Sequence, residues 1–63
     1  MFIGELELNK TYNIIYAAGK YGVEYANNVT CVKITKKRYY LLDNTNAREF
    51  YISNESVLEA KEV

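Results

Sequence analysis

The sequence predicts a small all-β domain of about five strands with one 3-10 turn before the last strand. Seven tyrosines and many β-branched residues favour strands, and alternating apolar residues recur in short runs. The runs are separated by Gly, Asn and Asp, and the chain has no proline. With 63 residues there is room for one small core. We therefore expect residues 1–63 to form a single small β-barrel domain.

The first two strands are predicted on either side of a glycine turn. Residues 12–17 alternate in polarity and end near Ala18, and residues 19–22 contain two glycines that permit a positive φ. A second strand begins near Val23. Its polarity is interrupted at Asn27-Asn28, which indicates either a bulge or a true turn, and it resumes over residues 29–34. Residues 5–8 form either a short strand or an extended lead-in.

Residues 29–34, 38–43 and 48–53 are predicted to form a meander with turns centred on Lys36-Lys37 and Thr45-Asn46. Both turns select the same apolar face. The predicted pairs on that face are Ile34 with Tyr39, Val32 with Leu41, Leu41 with Phe50, and Tyr39 with Ile52. The predicted core is Val32, Ile34, Tyr39, Leu41, Phe50, Ile52, Ile14, Leu8, Val57 and Tyr12. On the opposite face one row is Lys33, Tyr40 and Tyr51, and the next is Cys31, Leu42 and Glu49.

The end of the chain changes character after the meander. Residues 53–56 resemble a helical start with no room to develop, so we expect one 3-10 turn and a short last strand, with a C-terminal helix over residues 54–61 as the alternative. This order of elements, and above all the ending over residues 50–57, resembles the SH3-like small barrels. The resemblance implies a five-stranded barrel that the last strand closes. An OB-like or Sm-like barrel is a neighbouring possibility.

Few residues are suited to catalysis. The chain has no histidine and one cysteine, so a base, a nucleophile and an orienting group are not all present, and no metal or cofactor site is expected. Ser53 and Ser56 are interpreted as turn and capping residues, Glu5 and Glu7 as a solvated strand face, and Cys31 as a reduced apolar side chain. We expect a protein that is not an enzyme.

Two groups of residues are candidates for binding. The tyrosines exceed what a small barrel can bury, and tyrosine is common at protein interfaces. The predicted protein-binding residues are Tyr16, Tyr21, Tyr25, Tyr40 and Tyr51. Half of the eight Lys and Arg residues lie within six positions at one hairpin tip, where basic groups beside tyrosines suit a single-stranded nucleic acid. The predicted nucleic-acid-binding residues are Lys33, Lys36, Lys37 and Arg38, together with Tyr40 and Tyr51.

The leading hypothesis is a non-enzymatic module that binds a protein partner. Zero net charge argues against strong binding to nucleic acid or to a membrane. A nucleic-acid-binding barrel and a homodimer that pairs exposed strand edges are the alternatives. No signal peptide is recognised in the first residues, so a cytoplasmic location is expected. The excess of Asn, Lys, Ile and Tyr suggests a low-GC bacterium or its phage, and an inhibitor or accessory factor of the host.

Overall fold

The structure, a computed structural model, describes residues 6–20 and 22–63 as five antiparallel strands and one 3-10 turn. The prediction of an all-β chain with a 3-10 turn before the last strand is confirmed. The alternative of a C-terminal helix is wrong, because residues 57–62 form a ladder with the first strand. The elements are β1 (Thr11–Ala18), β2 (Gly22–Ile34), β3 (Arg38–Asp43), β4 (Arg48–Ser53), η1 (Asn54–Ser56) and β5 (Val57–Glu62).

The strands form one sheet in the order β4-β3-β2-β1-β5. β2, β3 and β4 make the predicted meander, and β5 returns to pair antiparallel with β1. No ladder joins β4 to β5 within the described residues, so the sheet has two edges and is not closed. Within residues 6–8 the lead-in segment has no strand, and Glu5 lies outside the described residues.

A bulge lies in the middle of β2, at Asn27-Asn28. The register against β1 shifts between Tyr12 and Ile14, and Asn28 takes a positive φ of 57°. Asparagine tolerates this left-handed conformation better than most residues. The N–H of Asn28 donates to the side-chain oxygen of Asn13 on β1 at 2.9 Å, which satisfies the bulged backbone. Of the two interpretations of the Asn pair, the bulge is therefore the correct one, and β2 runs through it as a single strand of 13 residues.

A second bulge changes the predicted register between β2 and β3. Ile34 faces Tyr39 as predicted, but Leu41 faces Cys31 instead of Val32. Val32 is the extra residue, because the pairing shifts between Cys31 and Lys33. Its side chain is 37% exposed, whereas Cys31 is fully buried. The prediction that placed Val32 in the core and Cys31 on the outer face is therefore wrong.

Both hairpin turns have the predicted centres, and their hydrogen bonds explain why. At the first, Thr35 and Arg38 exchange backbone and side-chain bonds of 2.9–3.3 Å around Lys36-Lys37. Asn54 then donates its backbone N–H to the Lys37 carbonyl and its side-chain amide to the Lys36 carbonyl, both at 2.9 Å. The 3-10 turn η1 thus supports a Lys-Lys pair that has weak turn propensity of its own.

The second turn is closed by Asp43. Its carboxylate accepts from the N–H of Thr45 at 3.0 Å and from the side chain of Asn46 at 3.3 Å. A positive φ of 55° at Ala47 completes the reversal. These local bonds place β4 in the predicted register, with Leu41 opposite Phe50 and Tyr39 opposite Ile52.

Most of the predicted core is confirmed. The buried side chains are Leu6, Tyr12, Ile14, Val29, Cys31, Tyr39, Leu41, Ile52 and Val57. Phe50 is partly buried against them. Leu6, Val29 and Cys31 were missed. Leu8 is 52% exposed because it lies in a turn before β1 and not in a strand, whereas Leu6 is buried. The hydroxyl of Tyr12 accepts the N–H of Glu7 between them at 2.9 Å. Ile34 is exposed at the end of β2, so its assignment to the core is also wrong.

Replacing Leu41 by alanine tests this core. Leu41 is fully buried, and Leu41→Ala is expected to cost about 2–5 kcal/mol of unfolding free energy, most of what a chain of this size has. Val32→Ala is the matched control and should cost less than about 1 kcal/mol, since Val32 lies at the exposed bulge. Urea unfolding followed by circular dichroism measures both. Equal losses would show that Val32, and not Cys31, packs inside.

Candidate binding surface

One row of side chains crosses the outer face of the meander as predicted. Tyr40 on β3 faces Lys33 on β2 and Tyr51 on β4. Strand alternation puts Arg38 on the same face, two residues before Tyr40. Tyr51 is 56% exposed, and Tyr40 is half-buried. We call Lys33, Tyr40, Tyr51 and Arg38 the aromatic–cation row.

Each member of the aromatic–cation row contacts the next, in the spatial order Lys33, Tyr40, Tyr51 and Arg38. The ring centroids of Tyr40 and Tyr51 are 5.6 Å apart, with their planes tilted by 43°. The Lys33 Nζ lies 5.4 Å from the centroid of Tyr40, and the Arg38 Cζ lies 4.6 Å from the centroid of Tyr51. A cation is attracted to the negative face of an aromatic ring, so each contact restricts two long side chains. The result is an ordered, exposed surface of two phenol groups between two cations.

The neighbouring row differs from the prediction at one position. Thr30, and not Cys31, faces Leu42, which in turn faces Glu49. The bulge at Val32 moves Cys31 to the inner face. Burial there raises the pKa of the Cys31 thiol, so that the thiolate is disfavoured and a reactive cysteine is not indicated.

The predicted basic cluster lies together at the tip of the β2–β3 hairpin. Lys36 and Lys37 occupy the turn, Lys33 precedes it and Arg38 follows it. Within residues 6–20 and 22–63, none of the four cations forms an ion pair with a carboxylate. The acidic residues on the elements that adjoin β3 and its hairpin are Glu49 on β4 and Glu55 in η1. The hairpin tip therefore presents charge that the rest of the described chain does not neutralise by direct contact.

The other predicted tyrosines do not join this surface. Tyr16 on β1 is half-buried against the core, and burial together with the carboxylate of Glu24 raises its pKa. Tyr25 on β2 is 68% exposed. It pairs with Ile15, and Tyr16 is the next residue along β1, so the side chains of Tyr25 and Tyr16 point to opposite faces of the sheet. Tyr21 lies outside the described residues. The structure thus brings together Tyr40 and Tyr51 and separates them from Tyr16 and Tyr25.

Two open clefts adjoin the separated tyrosines. One, of about 240 Å³, lies on the outer side of β1 and is lined by Asn13, Ile14, Ile15, Tyr25, Asn27, Glu59 and Lys61. The other, of about 280 Å³, lies between Tyr16 and Phe50 and is lined mainly by polar side chains of β2 and the β3–β4 turn. In the second cleft the side chains of Asp43 and Asn46 bond to each other and close the β3–β4 turn, so these bonds serve the turn. Neither cleft therefore indicates a specific small-molecule site.

The interpretation of Ser53 and Ser56 as turn and capping residues agrees with their bonds. The Ser53 Oγ accepts the N–H of Glu55 at 3.3 Å, and the Ser56 hydroxyl donates to the Ser53 carbonyl at 2.7 Å. In the part of the chain that the structure describes, no three His, Cys, Asp or Glu side chains come together in a way that could hold a metal ion. Among these same residues there is no helix with the length and apolar character needed to cross a bilayer.

Comparison with protein-family models, with curated proteins and with solved structures finds no match for this chain. Inferences about what the chain binds therefore depend on the geometry of its own surface.

A double-mutant cycle tests the contact between Arg38 and Tyr51. Arg38→Ala and Tyr51→Ala are expected to show a coupling of about 0.5–1 kcal/mol in unfolding free energy, as for an exposed cation–π pair. Lys37→Ala combined with Tyr51→Ala is the control, since Lys37 contacts no ring within the described residues. Chemical unfolding of the four proteins of each cycle gives the values. Zero coupling for Arg38 would show that the row is not ordered in solution.

Proposed function

We propose that the chain is a non-enzymatic module that binds a protein partner through the aromatic–cation row. The observation that carries the proposal is the continuous contact from Lys33 through Tyr40 and Tyr51 to Arg38 on one exposed sheet face. Tyrosine and arginine are the residues that most often dominate the binding energy of protein interfaces. A row held by its own internal contacts also loses little further side-chain entropy when a partner docks.

The charge around the row supports one kind of partner. Four cations surround two tyrosines, and none of them is ion-paired within the described residues. The rings of Tyr40 and Tyr51 supply the apolar area at the centre of the row. An interface with a partly apolar centre and basic margins suits a protein surface or peptide that combines acidic and apolar residues.

The resemblance to SH3-like barrels is kept as part of this proposal. It is supported by the five antiparallel strands, the long bent β2 and the 3-10 turn that leads into a last strand paired with β1. A role as a phage or mobile-element inhibitor or accessory factor, acting in the cytoplasm of a bacterium, is proposed with it from composition and size.

Capture from a lysate of the organism that encodes the chain tests the protein-binding proposal. We expect the wild type and Tyr25→Ala to retain the same protein, and Tyr51→Ala and Arg38→Ala to lose it, because only the latter two belong to the row. Calorimetry with the identified protein should show Kd raised at least about tenfold by Tyr51→Ala. Tyr25 is a suitable control, since it is an exposed tyrosine that makes no ring contact with the row within the described residues. A partner equally sensitive to both tyrosine variants would contradict the assignment of the row.

A single-stranded nucleic acid is the second candidate ligand. The observation that favours it is the same placement of cations beside tyrosines, which suits phosphates and stacked bases. Two features favour protein instead. Arg38 and Lys33 already lie over the rings on which bases would stack, and the chain as a whole has no net charge.

A titration with a fluorescent single-stranded oligonucleotide separates the two candidates. If Lys33, Lys36, Lys37 and Arg38 contact phosphates, affinity should fall about fiftyfold between 50 and 200 mM salt, from a slope of about 0.7 per phosphate. Lys37→Ala should then reduce that slope, and Lys61→Ala, a matched cation on β5, should not. For a module that binds only proteins we expect no micromolar binding at either salt concentration, so such binding would instead support the nucleic-acid candidate.

A further inference from the structure

The two edge strands of the open sheet are built differently. β5 has a register shift against β1, and three of its six residues are charged: Glu59, Lys61 and Glu62. Glu62 also pairs with Lys10 at 3.6 Å. Bulges and charged side chains are the usual features that prevent an edge strand from pairing with another chain. β5 is therefore protected against strand addition.

β4 lacks this protection over most of its length. Its ladder with β3 runs from Arg48 to Ser53 without a bulge. Its only charged residues are the first two, Arg48 and Glu49, and the chain has no proline to interrupt it. Its other side pairs with no strand among the described residues. A straight, regular edge of this kind is a template for a further strand.

The hydrogen bond between η1 and the first hairpin shows which backbone groups of β4 are free. The N–H of Asn54 donates to the carbonyl of Lys37 at 2.9 Å, so this is a hydrogen-bonded position of the β3–β4 ladder. Bonded and non-bonded pairs alternate along an antiparallel ladder. Phe50 and Ile52 therefore bond to β3.

It follows that the alternate residues Glu49, Tyr51 and Ser53 direct their N–H and C=O groups toward the free edge. The Ser53 carbonyl is engaged by the 3-10 turn η1 that begins at the next residue and by the hydroxyl of Ser56, so both of its lone pairs are used. The free edge of β4 thus presents the main-chain N–H and C=O groups of Glu49 and Tyr51 and the N–H of Ser53.

We propose that a second copy of this chain adds antiparallel to β4, with Tyr51 on the two-fold axis. In this register Tyr51 faces Tyr51 of the second copy, and Glu49 faces Ser53 of the second copy. The Tyr51 pair then exchanges both hydrogen bonds, and each Glu49 carbonyl accepts the N–H of Ser53 of the second copy. Centring the axis on Phe50 instead would place Ser53 opposite Ala47, which lies in a turn beyond the end of β4.

The charges on the outer face agree with the same register. Arg38 is the β3 partner of Ser53, so Glu49 of one copy lies in one row with Ser53 and then Arg38 of the other. Two strand spacings separate Glu49 from Arg38, about 10 Å between main chains, and only a small serine stands between these long side chains. Because of the two-fold axis, the same attraction between Glu49 and Arg38 occurs twice in the dimer. Zero net charge means that no overall repulsion opposes the association.

The pairing leaves the aromatic–cation row open, because strand addition uses the edge and not the face. The two rows become continuous across the axis, with four tyrosines in the centre and Lys33 at each end. A docking face of double length results. The inference about the dimer does not depend on which partner the row binds.

Sedimentation equilibrium of the full chain from about 10 μM to about 1 mM tests the dimer. We expect the mass to rise with concentration from 7.3 kDa toward twice that value. Glu49→Lys should raise the dimer Kd about tenfold, as should Arg38→Glu, and the two together should restore it. Glu59→Lys is the matched control on β5 and should leave Kd unchanged. Circular dichroism verifies that each variant is folded.

A disulfide provides a second test that needs no change of charge. Tyr51→Cys should oxidise rapidly to a covalent dimer at micromolar concentration, because a bonded pair has its Cα atoms about 5.5 Å apart, which a disulfide can bridge. Tyr25→Cys, more exposed than Tyr51, should cross-link slowly. Equal cross-linking rates, a 7.3 kDa species at every concentration, or a dimer weakened by Glu59→Lys and not by Glu49→Lys would each overturn the proposal.

Discussion

Two bulges in β2, at Asn27-Asn28 and at Val32, allow one strand to serve two ladders. β2 pairs with β1 through Thr30 and with β3 from Val29 onward, so both halves of the sheet depend on its register. Each bulge changes which side chains point inward. Without the shift at Val32, Cys31 and Val29 would leave the core, and the packing around Leu41 would be lost. In a chain with no disulfide and no proline, this register is the main determinant of the core.

The same register produces the candidate binding surface. The shift between Cys31 and Lys33 keeps Lys33 opposite Tyr40 while Cys31 enters the core. The unbulged β3–β4 ladder then places Tyr51 beside Tyr40 and brings Arg38 onto the same face. Core and surface are therefore two sides of one arrangement, because the same strand pairings place both sets of side chains.

The open sheet gives the protein two different ways to make contacts. The face of the meander offers tyrosines and cations, which suit a partner of complementary charge. The edge of β4 offers main-chain groups, which suit another strand. Because faces and edges do not compete, a small chain can associate with itself and still present its outer face. A 63-residue chain buries a smaller fraction of its surface than larger domains do, so self-association would also add to a limited core.

Local sequence patterns were enough to predict the strands, the two hairpin turns, the 3-10 turn and the row of Lys33, Tyr40 and Tyr51. These features follow from local chemistry: Asp43 and Asn46 close their own turn, Ser53 caps the turn that follows it, and the β3–β4 ladder has no irregularity. The sequence also indicated a bulge or a turn at Asn27-Asn28, because asparagine tolerates a positive φ.

The position of the second bulge, at Val32, depends on packing between strands and does not follow from the local sequence. Cys31 and Val32 are both small and apolar, so alternation allows either of them to face Leu41, and the choice depends on how β1, β2 and β3 pack together. Tertiary structure also separated Tyr16 from Tyr40 and Tyr51, and it packed Leu6 into the core while Leu8 stayed exposed. The physical reason is common to all three: a strand pattern specifies alternation, but the absolute face is fixed by contacts between strands distant in sequence.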